Sequence, residues 1–271
     1  MAEADDQVFH ARSLLELVEL RPLDDDVFLA PTTWSWGPRL FGGLVAAQSL
    51  AAACRTVAPE HRPHSLHSYF ILAGDSAKPL RLDVERTRDG RSFTTRRVVA
   101  SQDGSAIFEM SASFHRDEPG DDWSNPISID AADPDGLDVW DEPDAEPVNG
   151  YFDMRPLNQP IGRYAPPPYW VRATNPVPED DALRACLLTY LSDMGILAMA
   201  LAPGASPIGS ATSLDHSVWF HRPYRPEDWH LFSGGSRSNS GRRGLAIGEL
   251  HHRDGTLVAT IAQEGLFRPP R

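Results

Sequence analysis

The chain is poor in three things that would each have pointed to a function class. It has two cysteines in 271 residues, Cys54 and Cys186, both in apolar surroundings. That excludes a disulfide framework and reads as two small buried hydrophobes in a reducing, cytoplasmic compartment. It has no run of about 18 apolar residues, so no transmembrane helix and no integral membrane association are expected. The opening "MAEADDQVFHARSLL" has no basic stretch followed by an apolar one, so no secretory leader is expected. Lysine is nearly absent, Lys78 being the only one, and the net charge is −13. So acidic a chain argues against nucleic-acid binding, which needs a basic surface.

What remains is 41% hydrophobic composition, enough for one large domain or two small ones. Three stretches divide it. Residues 1–118 and 169–271 carry the periodic segments. Residues 119–168 form an acidic connector rich in Asp, Pro and Gly, as in "PGDDWSNPISIDAADPDGLDVWDEPDAEPVNG" (119–150). It is expected to be partly ordered by Trp123, Val139 and Trp140. A stiff "YAPPPYW" (164–170) leads out of it into the last stretch.

The two flanks resemble each other. Shifted by 151 positions, "GRSFTTRRVVASQDGSAIFEMSASF" (90–114) lies over "GRRGLAIGELHHRDGTLVATIAQEG" (241–265) without a gap, and Asp103-Gly104 meets Asp254-Gly255. Each reads as strand, Asp-Gly hairpin turn, strand. The same shift lays Tyr69-Phe70 on Phe220-His221 and the apolar helix 43–57 near "DMGILAMALAP" (193–203), at the end of a second apolar helix expected over about 181–202. A helix apolar on all sides must be buried. The pattern is therefore α+β: a duplicated unit, each half a long buried helix packed by antiparallel strands.

The repeat makes an internal comparison possible. Ala106, Phe108, Met110, Ala112 and Phe114 share one strand face, since side chains two apart point the same way. Their counterparts are Leu257, Ala259, Ile261, Gln263 and Gly265. Gln263 thus stands where the first half has Ala112. In the helices, Asp193 stands over Gly42, amid the apolar "LLTYLSDMGILAMALA". Burying an amide and a carboxylate costs several kcal/mol without partners. Ser213, heading the strand "SLDHSVWFHRP", could join them. A carboxylate, a hydroxyl and an amide can hold one water and let Asp193 take its proton as general base. Blander readings stand beside this one: Asp193 could cap or break the helix before Gly195, and Gln263 could satisfy a backbone group. Asp215 and His216 tempt as a dyad, but adjacent strand residues face opposite ways, which reads Asp215 as a turn residue and His216 as structural. His67 reads as a satisfied core residue. No Cys/His set has metal-ligand spacing, and neither metal nor cofactor is expected.

The segments "FGGLVAAQSL", "HSLHSYFILAGDSAKPL", "RDGRSFTTRRV", "YWVRA", "LTYLSD", "SLDHSVWFHRP" and "ATIAQEG" resemble, in order and from about Ser13 to Arg268, the signature segments of the type II acyl-CoA thioesterases. The resemblance implies a double hotdog fold, in which each repeat's sheet wraps its helix. It also implies hydrolysis of fatty acyl-CoA to free acid and CoA, a place in fatty-acid metabolism, and a catalytic set at Asp193, Ser213 and Gln263. Ser213 rather than Thr212 follows from the motif. Gly42 and Gly43 in "FGG" are candidate oxyanion donors. Arg91, Arg222, Arg225, Arg242 and Arg243 are candidates for the CoA phosphates. A homo-oligomer, dimer or tetramer, is expected by analogy. The alternatives are a non-catalytic acyl-CoA binding hotdog protein and a hotdog enoyl-CoA hydratase, which would use an Asp/His pair.

Overall fold

The computed structural model describes residues 11, 13–32, 39–124, 131–140, 151–158, 167–201 and 208–270. The N-terminal decapeptide, the start of the "YAPPPYW" segment and the end of the expected second helix lie outside them. The described chain separates into two compact units. One comprises Met1–Glu118 with Pro178–Leu191, the other Pro119–Val177 with Ser192–Arg271.

In the first unit the strands are β1 (Arg21–Asp24), β2 (Val27–Ala30), β3 (His61–Phe70), β4 (Leu80–Asp89), β5 (Phe93–Gln102) and β6 (Ser105–Arg116), around helix α1 (Gly42–Cys54). They form an antiparallel sheet in the order β1-β2-β4-β5-β6-β3. Asp103 and Gly104 both take positive φ, 50° and 74°, and close β5 onto β6. Such a two-residue turn matches the twist of the strands it joins. From Gly43 to Ala53 every residue of α1 is buried. Phe108, Met110, Ala112 and Phe114 are buried on β6, as alternation requires. Helix α2 (Asp181–Ser192), whose Leu183 N–H is capped by Asp180 Oδ1, belongs to this unit as far as Leu191.

The second unit holds β7 (Phe152–Pro156), β8 (Tyr169–Ala173), α3 (Ile196–Met199), β9 (Ser210–Ser213), β10 (Asp215–Phe220), β11 (His230–Ser240), β12 (Arg243–His252) and β13 (Leu257–Arg268). Its sheet runs β10-β13-β12-β11-β8-β7, with β9 also on β13. The inner order repeats that of the first unit: β4-β5-β6-β3 there, β11-β12-β13-β10 here. Both units are thus antiparallel sheets with a helix packed on them, the tandem hotdog arrangement.

Two elements differ from the sequence reading. The single helix expected over about 181–202 is two helices. It stops at Ser192, turns through Asp193–Gly195, and restarts as α3. Gly195 takes φ 81°, which ends a right-handed helix. Two glycines of β12 and β13 then clear the ground for α3 and its C-cap. A Cβ on Gly265 would lie 2.2 Å from Leu197, and on Gly244 2.3 Å from the Ala200 carbonyl oxygen. The second difference is β7, which arises inside the Asp/Pro/Gly-rich connector. It pairs with β8 because Phe152 and Met154 bury their side chains. Residues 131–140 are tied to the same unit. Trp140 N–H donates to Met154 O, Trp170 Nε1–H donates to Ala132 O, and Trp140 is buried. Trp123 and Val139, expected to help order this stretch, are exposed.

Candidate active site

The second unit carries a chain of side-chain hydrogen bonds that begins beside Asp193 and ends at Ser213. Ser192, the last residue of α2, bonds through Oγ to His216 Nε2 at 2.7 Å. His216 Nδ1 bonds to Gln263 Oε1 at 2.5 Å. Gln263 Nε2 donates to Ser213 Oγ at 2.8 Å. Ser192, His216 and Gln263 are buried, the last two with no exposed surface, while Ser213 is half-buried. The relay therefore runs from the interior to a hydroxyl that solvent can reach.

Local chain geometry explains how these groups meet. Ser213 pairs with Gly265 on β13, and Ser217 pairs with Ala262. Four steps on one strand thus oppose three on the other. The extra residue is a bulge between β9 and β10. There Leu214 N–H donates to Glu264 O, and Glu264 N–H donates to Asp215 Oδ1 at 2.7 Å. The bulge breaks the alternation of faces, so Ser213 and His216, three apart, both reach Gln263. Simple parity sets them on opposite faces and so leaves His216 out of the cluster. It holds only for an uninterrupted strand. The same one-residue shift occurs in the first unit between Pro63 and Ser65, where His64 Nε2 meets Ser113 Oγ at 2.8 Å.

Asp193 occupies the turn between α2 and α3 and is 9% exposed. Tyr169 on β8 fastens that turn by donating its hydroxyl to Met194 O at 2.8 Å. Burial, then the charges of Tyr224 and Asp193, push the Tyr169 phenol up, so it stays a neutral donor. Asp193 is joined by the peptide bond to Ser192, where the relay starts. Burial pulls the His216 imidazole down to about 4 against an opposing hydrogen bond to Gln263, so the ring is neutral at pH 7. Burial also raises the Asp215 carboxyl, opposed by the bond from the Glu264 N–H.

The other sequence candidates lie elsewhere. Gly42 and Gly43 open α1 in the first unit, where Phe41 supplies no side-chain cap. Thr212 is exposed and pairs with Leu266. His67 is exposed on β3, not in the core. Among the arginines, Arg222 pairs with Asp122 at 2.5 Å and Arg243 with Glu264 at 3.1 Å, while Arg91, Arg225 and Arg242 are exposed. Two residues that sequence reasoning did not select, His216 and Ser192, are central to the cluster. A histidine beside the bulge and a serine directly before the buried Asp were the signals that could have found them. Among the described residues no helix is long and apolar enough to cross a membrane.

The two units define a tandem hotdog protein, one of them with a buried polar relay ending at an accessible hydroxyl. Comparison with known proteins narrows the class. Residues 30–115 match the model of the acyl-CoA thioesterase N-terminal domain, and residues 153–266 match that of acyl-CoA thioesterase. Acyl-coenzyme A thioesterase 8 of Rattus norvegicus is 36% identical over 292 residues, covering 95% of this chain and 90% of its own. Acyl-CoA thioesterase 2 of Haemophilus influenzae is 37% identical, with 94% and 97% covered. Acyl-CoA thioesterase II TesB2 of Mycobacterium marinum superposes with a TM-score of 0.82 at 36% identity, covering 95% of this chain and 99% of its own. The chain belongs to the type II acyl-CoA thioesterase family. It is an acyl-CoA thioesterase, a hydrolase of the thioester bond.

Proposed function

We propose that Asp193, Ser213 and Gln263 carry the hydrolysis of fatty acyl-CoA through a single activated water. The observation that supports this most is the Gln263–Ser213 hydrogen bond, anchored from behind by buried groups. In this reading Ser213 and Gln263 orient the water and Asp193 takes its proton as the oxygen attacks the thioester carbonyl. The tetrahedral intermediate collapses, the C–S bond breaks, and the CoA thiolate leaves with the proton held by Asp193. The backbone N–H groups of Gly42 and Gly43, at a helix N-terminus without a side-chain cap, are the proposed oxyanion donors. Full activity in Gly42→Val or Gly43→Val would remove that assignment. The exposed Arg91, Arg225 and Arg242 are proposed for the CoA phosphates, being less committed than Arg222 and Arg243.

The hydratase alternative needs an Asp/His pair free to exchange protons with substrate. Both nitrogens of His216 are already engaged, by Ser192 and Gln263, which disfavours it. The binding-protein alternative leaves the buried relay without a purpose. A reducing, cytoplasmic location and a homo-oligomeric state, dimer or tetramer, complete the proposal; light scattering on the purified chain tests the second.

The deciding experiment is thiol release from acyl-CoAs of graded chain length by the wild type beside Asp193→Asn. Release that falls by at least about a hundredfold in a folded, substrate-binding variant supports the base assignment. Release unchanged in Asp193→Asn overturns it.

A further inference from the structure

We infer that His216, held by Ser192, is a positioning residue that fixes which way the Gln263 amide faces and thereby makes Ser213 a hydrogen-bond donor to the reacting water. The inference rests on the reading that Gln263 and Ser213 serve the reaction.

Donors and acceptors set the direction of the relay. An amide oxygen only accepts and an amide nitrogen only donates. Gln263 Oε1 lies on His216 Nδ1, so that nitrogen carries the ring proton. A neutral imidazole has one N–H, so Nε2 is bare and accepts the Ser192 hydroxyl proton. Gln263 Nε2 then faces Ser213 Oγ and donates to it. Every donor in the series Ser192, His216, Gln263 points toward Ser213. Its oxygen is occupied as an acceptor, and its own proton is left to give. If the amide were reversed, Gln263 Oε1 would take the Ser213 proton, and Ser213 could then only accept. The two arrangements have almost the same shape and opposite polarity. With His216 and Gln263 fully buried, no water can stand in for the ring at the amide. Burial also keeps the ring neutral across the working pH range, which preserves the single N–H on which the choice depends.

The test compares kcat and KM for thiol release in His216→Phe, His216→Asn, Gln263→Met and the double variant His216→Phe/Gln263→Met, with thermal unfolding measured for each. Gln263→Met is expected to lower kcat. His216→Phe is expected to lower kcat about tenfold with KM little changed, the scale of one lost hydrogen bond. The Asn amide nitrogen overlies ring Nδ1, so His216→Asn restores most of kcat. The double variant is expected to be no slower than Gln263→Met alone, because the ring acts only through the amide. Losses that multiply in the double variant, or a wild-type kcat in His216→Phe while Gln263→Met is impaired, overturn the inference. A wild-type kcat in Gln263→Met overturns instead the reading beneath it. Should His216→Phe fail to fold, Ser192→Ala takes its place: it is expected to slow the wild type but not Gln263→Met, and equal slowing in both backgrounds overturns the inference.

Discussion

His216→Asn gives a prediction whose size follows from the burial of one ring. Burial holds the imidazole at about 4 in the native chain, against 6.5 for a free histidine. The folded pKa is depressed, so the unfolded chain takes the proton first. Above pH 6.5 neither state is protonated and the native chain suffers no penalty. As pH falls from 6.5 toward 4, the unfolded state gains a proton that the native state refuses, and stability declines. At pH 4.5 the linkage amounts to about 2–3 kcal/mol from this ring alone. His230, also pulled down to about 4 by burial, adds a similar decline that the variant leaves in place. Urea unfolding of wild type and His216→Asn at pH 7.5 and 4.5 isolates the term. At pH 7.5 the variant is the less stable, having lost the bond to Ser192. At pH 4.5 the gap narrows by about 2–3 kcal/mol, since Asn has no proton to refuse. Parallel pH dependences in the two proteins would refute the reasoning. The same neutral ring has a kinetic corollary: the acid limb of kcat comes from another group, and His216→Asn leaves its midpoint unmoved.

Ser213→Ala removes the outer end of the relay at a half-buried site, so kcat is expected to fall about ten- to a hundredfold with KM nearly constant. Steady-state thiol release checks this, and a KM effect alone counts against it. Gly244→Ala puts a methyl 2.3 Å from the Ala200 carbonyl, a backbone atom that cannot swing aside. It should destabilise the second unit by about 1–3 kcal/mol, seen as a lowered melting temperature; an unchanged melt contradicts the packing argument. A hydrogen bond with Cys54 and burial push the Cys186 thiol up, so iodoacetamide at pH 8 should label Cys186 only after denaturation. Rapid native labelling at that residue, read by mass spectrometry, would count against its being inert.

Much of this architecture is legible in the residues, for identifiable reasons. The hairpin at Asp103-Gly104 is visible because two successive positive-φ positions suit few residue types. The buried α1 is visible because its apolar residues circle the whole helix. The break at Asp193–Gly195 is harder. One Gly among Ala, Leu and Ile lowers helix propensity by only about 1 kcal/mol, too little to distinguish a kinked helix from a straight one. The close approach of Leu197 to Gly265 and of the Ala200 carbonyl to Gly244 settles it, and those are long-range contacts. β7 is obscured in the same way. Five residues, Phe152–Pro156, sit within a stretch whose composition signals a loop, and only pairing with β8 makes them a strand.

The site shows most clearly where local reading stops. Asp193 and Gln263 stand out because the first half has Gly42 and Ala112 at those positions, and a buried polar group demands a reason, whereas Ser213, half-buried and opposite Arg62, is picked out only by the motif around it. His216 fails the same test only through parity. Its counterpart is Ser65, and Ser192 lies over Phe41, so the first half lacks every member of the relay. Both halves nevertheless share the bulge, between Pro63 and Ser65 in one and at Leu214–Asp215 in the other. The bulge is therefore a feature of the repeat, not of the chemistry. In the second half it places two side chains three residues apart on a single amide. In the first it leaves His64 paired to Ser113 near the surface. A duplicated fold with the same backbone irregularity can thus hold a buried polar relay in one copy and none in the other. The difference lies in five side chains.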